Sequence, residues 1–204
     1  MARLARRILP PLAAVLALLV AAPGALACAG DDAAPSDPAA AAATLCLLNQ
    51  QRAAHGLGAL TESTVLDRAA TGFARDMVER RFFDHVSPGG GTMLDRLKSA
   101  GWAPGGSWSA GENIAWGSGS LATPASIVDD WMHSAGHRAN ILNGSFAAIG
   151  IGIADGAPQA GIRGEAGTYV TDFTSGGATA AAKRCSAKTR TGQRRCAKTA
   201  ATPR

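Results

Sequence analysis

The sequence predicts an α+β layer structure, and three observations carry that expectation. Apolar residues recur at helical spacing through the front of the chain, two segments towards its end alternate at period two, and no internal repeat is visible. At 204 residues the chain is long enough for one domain with a hydrophobic core, plus its ends.

Those ends have their own character. Arg3, Arg6 and Arg7 precede an apolar run from Leu12 to Val20, and Ala25-Leu26-Ala27 gives a small-x-small cleavage site, so residues 1–27 read as a secretory signal peptide. The run is well short of the roughly 20 residues that a membrane-spanning helix needs, and no later stretch comes closer. An exported, extracellular protein with no transmembrane segment is expected. Cleavage after Ala27 makes Cys28 the first mature residue, which raises a lipid-anchored alternative. Four cysteines, Cys28, Cys46, Cys185 and Cys196, instead suit two disulfides in an oxidising compartment, whereas a lipidated Cys28 leaves an odd thiol. Of the three pairings we prefer Cys28–Cys46 and Cys185–Cys196, each local; spacing leaves the connectivity open.

Charge divides along the chain. Residues 178–204 hold eight basic and no acidic side chains, while 28–177 hold nine basic against fifteen acidic, so an acidic body carries a basic tail. A tail of Ala, Thr and Lys with almost no large apolar residue reads as mostly disordered. It suits either a solubilising role or binding to a cell-envelope polyanion. No nucleic-acid partner is expected, and a monomer is.

The body opens with an extended entry segment over 28–43, marked by Pro35 and Pro38 among three aspartates. Leu45, Leu48 and Arg52 share one face of a first helix that stops near His55-Gly56. Leu66, Ala70, Phe73 and Met77 form the core-facing stripe of a second, beginning around 61–63. After the glycine loop 89–91, Leu94 and Leu97 mark a short helix over 92–100. That loop lacks the Gly-Lys-Ser/Thr ending of a phosphate loop. "ENIAWGS" reads as a strand, and Thr123-Pro124 caps a helix with Ile127, Val128, Trp131 and Met132 on its apolar face. "AAIGIGIAD" and "TYVTDFTS" read as two antiparallel strands joined by a longer loop.

Chemistry concentrates in three places. "DWMHSAGHRANIL" sets His133 and His137 four apart, but a zinc-protease helix needs a glutamate after the first histidine, and here Ser134 follows. Gly136 is expected to end the helix before His137, which leaves His133 as an exposed helix-end residue. "FFDHVSP" puts His85 in a tight turn after the second helix, and "GENIAWG" puts Glu112 directly before a strand, where either side chain can be aimed into a cleft. Ser87, Ser107, Ser109 and Ser134 lie near these segments, but no Gly-x-Ser-x-Gly elbow is present.

Five blocks in order, "LCLLNQQRAAHGLGAL", "FFDHVSP", "GENIAWGS", "WMHSAGHRANIL" and "IGIGIA" with "YVTDF", resemble the bacterial branch of the CAP superfamily: cysteine-rich secretory proteins, antigen 5 and pathogenesis-related 1, also called SCP domains. The resemblance implies an α-β-α sandwich with a central antiparallel sheet, a CAP domain over 44–177, and a cleft lined by two histidines and two glutamates. By motif these fall on His85, Glu112 and His137, while the second glutamate of many members falls on Ser134. A hydroxyl does not supply a carboxylate charge, so the site is expected to use two imidazoles and one carboxylate or to recruit Asp129 or Asp130. Two imidazoles with a carboxylate suit zinc or another divalent metal held by His85 and His137. They equally suit a polar cleft in which Glu112 fixes one histidine tautomer. Three readings of function follow: a secreted protein whose cleft of His85, Glu112, His137 and Ser134 binds a small ligand, lipid included, or a divalent metal; a metal-dependent hydrolase acting on peptide or cell-wall material; and an envelope-binding module that uses the tail. Whether the protein is an enzyme is left open by the sequence.

Overall fold

The computed structural model describes residues 27–162 and 164–175. The leader, the basic tail and the expected Cys185–Cys196 pair lie outside the described residues. Helix α1 (Ala39–Ala54) begins inside the stretch read as extended, because Asp37 accepts the Ala39 N–H at 2.8 Å and an alanine run follows. Cys28, at the start of the entry segment, is bonded to Cys46 on α1. A two-residue strand β1 (Thr61–Glu62), not expected from the sequence, precedes α2 (Thr64–Arg80), which buries Leu66, Ala70, Phe73 and Met77 as their spacing predicts. Helix α3 (Met93–Ser99) starts on a reciprocal cap in which Thr92 Oγ1 accepts from Asp95 N and Asp95 accepts from Thr92 N.

Strand β2 (Ala110–Ser118) is followed by a 3-10 turn (Gly119–Ala122) and by α4 (Pro124–His133), capped by Thr123 with proline in its first turn. Ile127, Val128 and Trp131 are buried on α4, and Met132 packs partly buried against the same core. Helix α5 (Ala135–Ile141) follows at once, and the strands β3 (Ala148–Asp155) and β4 (Ala166–Thr174) complete the fold. The break between α4 and α5 falls at Ser134, not at Gly136. Ser134 is extended (φ −96°, ψ 121°); its N–H closes α4 on Trp131 O at 3.2 Å and its carbonyl opens α5 by accepting from Arg138 N at 2.8 Å.

The sheet runs β1-β3-β4-β2, antiparallel except for the parallel β1–β3 pair. Alternation sends Ile149, Ile151, Tyr169 and Phe173 into one core with Leu48 of α1, Val128 and Trp131 of α4 and Ile141 of α5. Ile114, Ala154 and Val170 on the opposite face meet Phe73, Ala74 and Met77 of α2, and a smaller cluster joins α2 to Leu97 of α3 and Trp102. This is a three-layer α-β-α sandwich, and every residue of β4 is buried as a result. The period-two pattern of β4 therefore separates two cores rather than a core from solvent.

Two devices fix the layers. Gly150 and Gly152 let α2 lie directly on β3: an added Cβ would stand 2.2 Å from the Leu66 carbonyl carbon or the Ala70 carbonyl carbon. Arg52, buried on α1, donates to the carbonyls of Gly58 (2.8 Å), Ile141 (2.8 Å), Asn143 (3.0 Å) and Phe146 (3.0 Å). One guanidinium thus ties α1 to the α5–β3 connection.

Candidate functional site

The Gly111-Glu112-Asn113 triplet shows how a strand builds two walls of a site. Alternation points Asn113 towards α5 and Glu112 towards α2 and α3. Glu112 lies within β2, one step further into the fold than its expected place before the strand. Asn113 Nδ2 donates to His137 O at 3.1 Å, and Asn140 Nδ2 donates to Asn113 Oδ1 at 2.9 Å and to Glu112 O at 3.2 Å. Gly111 permits this, since a Cβ there would meet Asn140 Oδ1 at 2.8 Å. The "GHRAN" block is accordingly docked through Asn140, and the His137 ring comes to lie 6.5 Å from the Trp131 ring, centre to centre.

On the other wall Glu112 is nearly inaccessible and is held from two sides. His85 Nδ1 donates to its Oε1 at 2.8 Å and Arg96 Nη2 to its Oε2 at 2.5 Å. Arg96 also donates to the carbonyls of His85 and Gly91, both at 3.2 Å, and its guanidinium carbon stands 3.3 Å from the centre of the Phe73 ring. Arg96 therefore holds the carboxylate and the loop that carries His85 at once. The His85 side chain remains 54% exposed, so its free edge meets solvent.

The two imidazoles differ in charge preference. The hydrogen bond to Glu112 raises the His85 pKa above its ordinary value against an opposing contribution from burial. Burial first, and the neighbouring His85 second, lower that of His137. The site thus pairs an imidazole that holds its proton more tightly than usual with one that holds it less tightly. His137 and Ser134 line a cleft of about 380 Å³ with Phe83, Trp116, Trp131, Asp130 and His133. His133 is exposed, as expected, with its Nδ1 bonded to Asp129 O at 2.8 Å.

Two participants were not legible in the sequence. Arg96 is one, indistinguishable there from a solvated helix charge. Asp172 is the other: it is the register partner of Glu112 across β2–β4, only 1% exposed, and neither of its oxygens has a hydrogen-bond partner. Burial first, then the charge of Glu112, push its carboxyl well above the usual carboxylate range. Strand parity groups Asp172 with Val170, on the face that packs against α2, but does not by itself show that this face is buried.

The metal expectation meets a different donor set. Among the described residues no group of three or more His, Cys, Asp or Glu side chains is placed to hold a metal ion. Both Glu112 oxygens already take hydrogen bonds, one from a cation, and two imidazoles fall short of the three protein ligands of an open zinc site. These residues do not fit a zinc centre, and no chemistry is routed through one.

The profile of the cysteine-rich secretory protein family (CAP) matches residues 45–173. The chain belongs to this family. "Uncharacterized protein YkwD" of Bacillus subtilis (strain 168) is 42% identical over 106 residues, which cover 52% of this chain and 39% of that protein. "Uncharacterized membrane protein YlbC" of the same strain is 36% identical over 109 residues, covering 53% of this chain and 30% of that protein. A crystal structure of an extracellular protein containing an SCP domain from Bacillus anthracis str. Ames is similar with a TM-score of 0.52 and 30% identity, over 64% of this chain and 38% of that one. The chain thus spans well under half the length of each of these proteins.

Proposed function

We propose that the chain is an extracellular CAP-domain binding protein whose cleft takes a small amphiphilic ligand, with an anionic head at the His137 end, where His85 lies just outside the cleft lining, and an apolar body along Phe83, Trp116 and Trp131. The observation that carries this is His137 at an aromatic-lined cleft of ligand size, with His85 nearby, held on Glu112 in a contact that favours its protonated form. An imidazole that favours its proton, beside a second imidazole donor, suits a carboxylate or phosphate oxygen better than a cation. Export is supported by the leader pattern and by the Cys28–Cys46 disulfide, which suits an oxidising compartment. A sulfur engaged in that bond is not free to carry a lipid, so a secreted form is favoured over an anchored one. No helix among the described residues is long and apolar enough to cross a membrane.

The test is calorimetric titration of decanoate into the full exported chain, with decanol as the uncharged counterpart and zinc alone as the control for a metal site. Decanoate is expected to bind one-to-one and more tightly than decanol, and His85→Ala is expected to weaken it about tenfold, the worth of roughly one charge-assisted hydrogen bond. No decanoate binding, or binding that both His85→Ala and His137→Ala leave unchanged, overturns the reading. Tight zinc binding lost in the combined variant His85→Ala/His137→Ala would return the site to metal chemistry.

A further inference from the structure

Asp172 takes no part in the cleft just described, yet it touches the machinery behind it. Its carboxyl lies on the inner face of β4, directly across from Glu112 in the β2–β4 register. The paired donors nearby serve other groups: His85 Nδ1 and Arg96 Nη2 both point to Glu112, and Arg96 Nη1 serves the carbonyls of His85 and Gly91; Arg96 Nε is buried without a partner and makes no hydrogen bond to Asp172. Asp172 therefore accepts no hydrogen bond from a protein donor and is closed off from bulk solvent. An ionised carboxylate in that position would be an uncompensated buried charge beside a second one, an arrangement that proteins avoid by keeping a proton.

We propose that Asp172 is a neutral carboxylic acid that donates its O–H to Glu112, supplying the site with the second carboxyl that Ser134 does not provide. The contact between two carboxyls becomes a hydrogen bond only when one of them carries a proton, and Asp172, without any other donor, is the one that needs it. Glu112 then accepts from three groups, His85, Arg96 and Asp172. Asp172 acts as a positioning residue: it fixes the Glu112 carboxylate without adding a second negative charge beside it. The charged groups facing Asp172 are Glu112 of β2, Arg96 of α3 and, through Glu112, His85 of the loop after α2. Burial and the Glu112 charge raise its pKa, in agreement with this geometry. The proposal rests on the binding reading only for its consequence in the cleft.

The experiment is carbon-13 NMR titration of the side-chain carboxyls in the full exported chain without ligand, together with the imidazole titration of His85 in the parent and in Asp172→Asn. The Asp172 carboxyl carbon is expected to keep its protonated chemical shift at neutral pH. Asparagine preserves a neutral donor to Glu112, so the His85 midpoint should stay where it is in the parent. An Asp172 signal that titrates in the ordinary carboxylate range overturns the proposal. So does a His85 that loses about tenfold in proton affinity in Asp172→Asn, the signature of a negative charge removed. Because no ligand is present, failure of decanoate to bind would leave this result intact, and the reverse also holds.

Discussion

His85 and His137 stand on opposite sides of the ordinary imidazole pKa, and each therefore gives stability its own pH dependence. His85 binds its proton more tightly when folded, so the contribution of its Glu112 contact is fully present below the unfolded value of about 6.5 and is lost as pH rises through the folded one. For His137 the sign is reversed. Its folded pKa is depressed, so the unfolded chain takes up the proton first and stability falls as pH drops below about 6.5. His85→Gln should accordingly lose stability relative to the parent as pH falls from 9 to 5, and His137→Gln should gain. Denaturant midpoints across that range would show it, with each difference held to about 1 kcal/mol or less by solvent screening of half-exposed groups. A parallel response of the two variants would contradict the assignment. At this scale the sequence was half legible: motif order located His85, Glu112 and His137, whereas Arg96 and Asp172 enter only through the α3 approach and the β2–β4 register, neither of which is written in local spacing.

Elements were legible where periodicity alone decides them. The stripe Leu66-Ala70-Phe73-Met77 and the Thr123-Pro124 cap each specify a helix without reference to the rest of the chain. The split at Ser134 was misplaced to Gly136 because a glycine is a local stop signal, while the actual break depends on Asn140 reaching Glu112 and Asn113 across the sheet. Strand β1 was missed for a related reason, as its pairing with Ala148 and Ile149 is long-range. The glycines of β3 look like weak strand residues and are in fact the α2 docking surface. Gly150→Ala should cost about 1–3 kcal/mol through overpacking against helix backbone, since no flexible side chain is available to move aside. Thermal unfolding of Gly150→Ala beside Gly144→Ala, where a Cβ meets only a leucine methyl at 3.5 Å, would separate this clash from a general glycine effect.

Across the whole molecule, the first helix layer is held to the sandwich by contacts that span most of its length. Arg52 of α1 bonds carbonyls about the α5–β3 turn, and Arg52→Met, which keeps the apolar stem but leaves four buried or half-buried acceptors with one donor fewer each, should destabilise by about 3 kcal/mol. The Cys28–Cys46 bond acts on the same helix at its middle, and by a different route. It closes a sequence separation of 18, so most of its effect lies in restricting the unfolded chain, about 3 kcal/mol for a loop of that size. Cys28→Ser/Cys46→Ser should therefore lower the denaturant midpoint by a similar amount to Arg52→Met while leaving the His85 titration unchanged, because α1 packs on the sheet face opposite Glu112. Combining the three substitutions discriminates the two mechanisms. The arginine acts on the native state and the disulfide on the unfolded one, so their costs should add to within a few tenths of a kcal/mol. A combined loss well below that sum would mean that α1 has already detached in one of the parents, and that the entry segment and its helix form a separately melting unit.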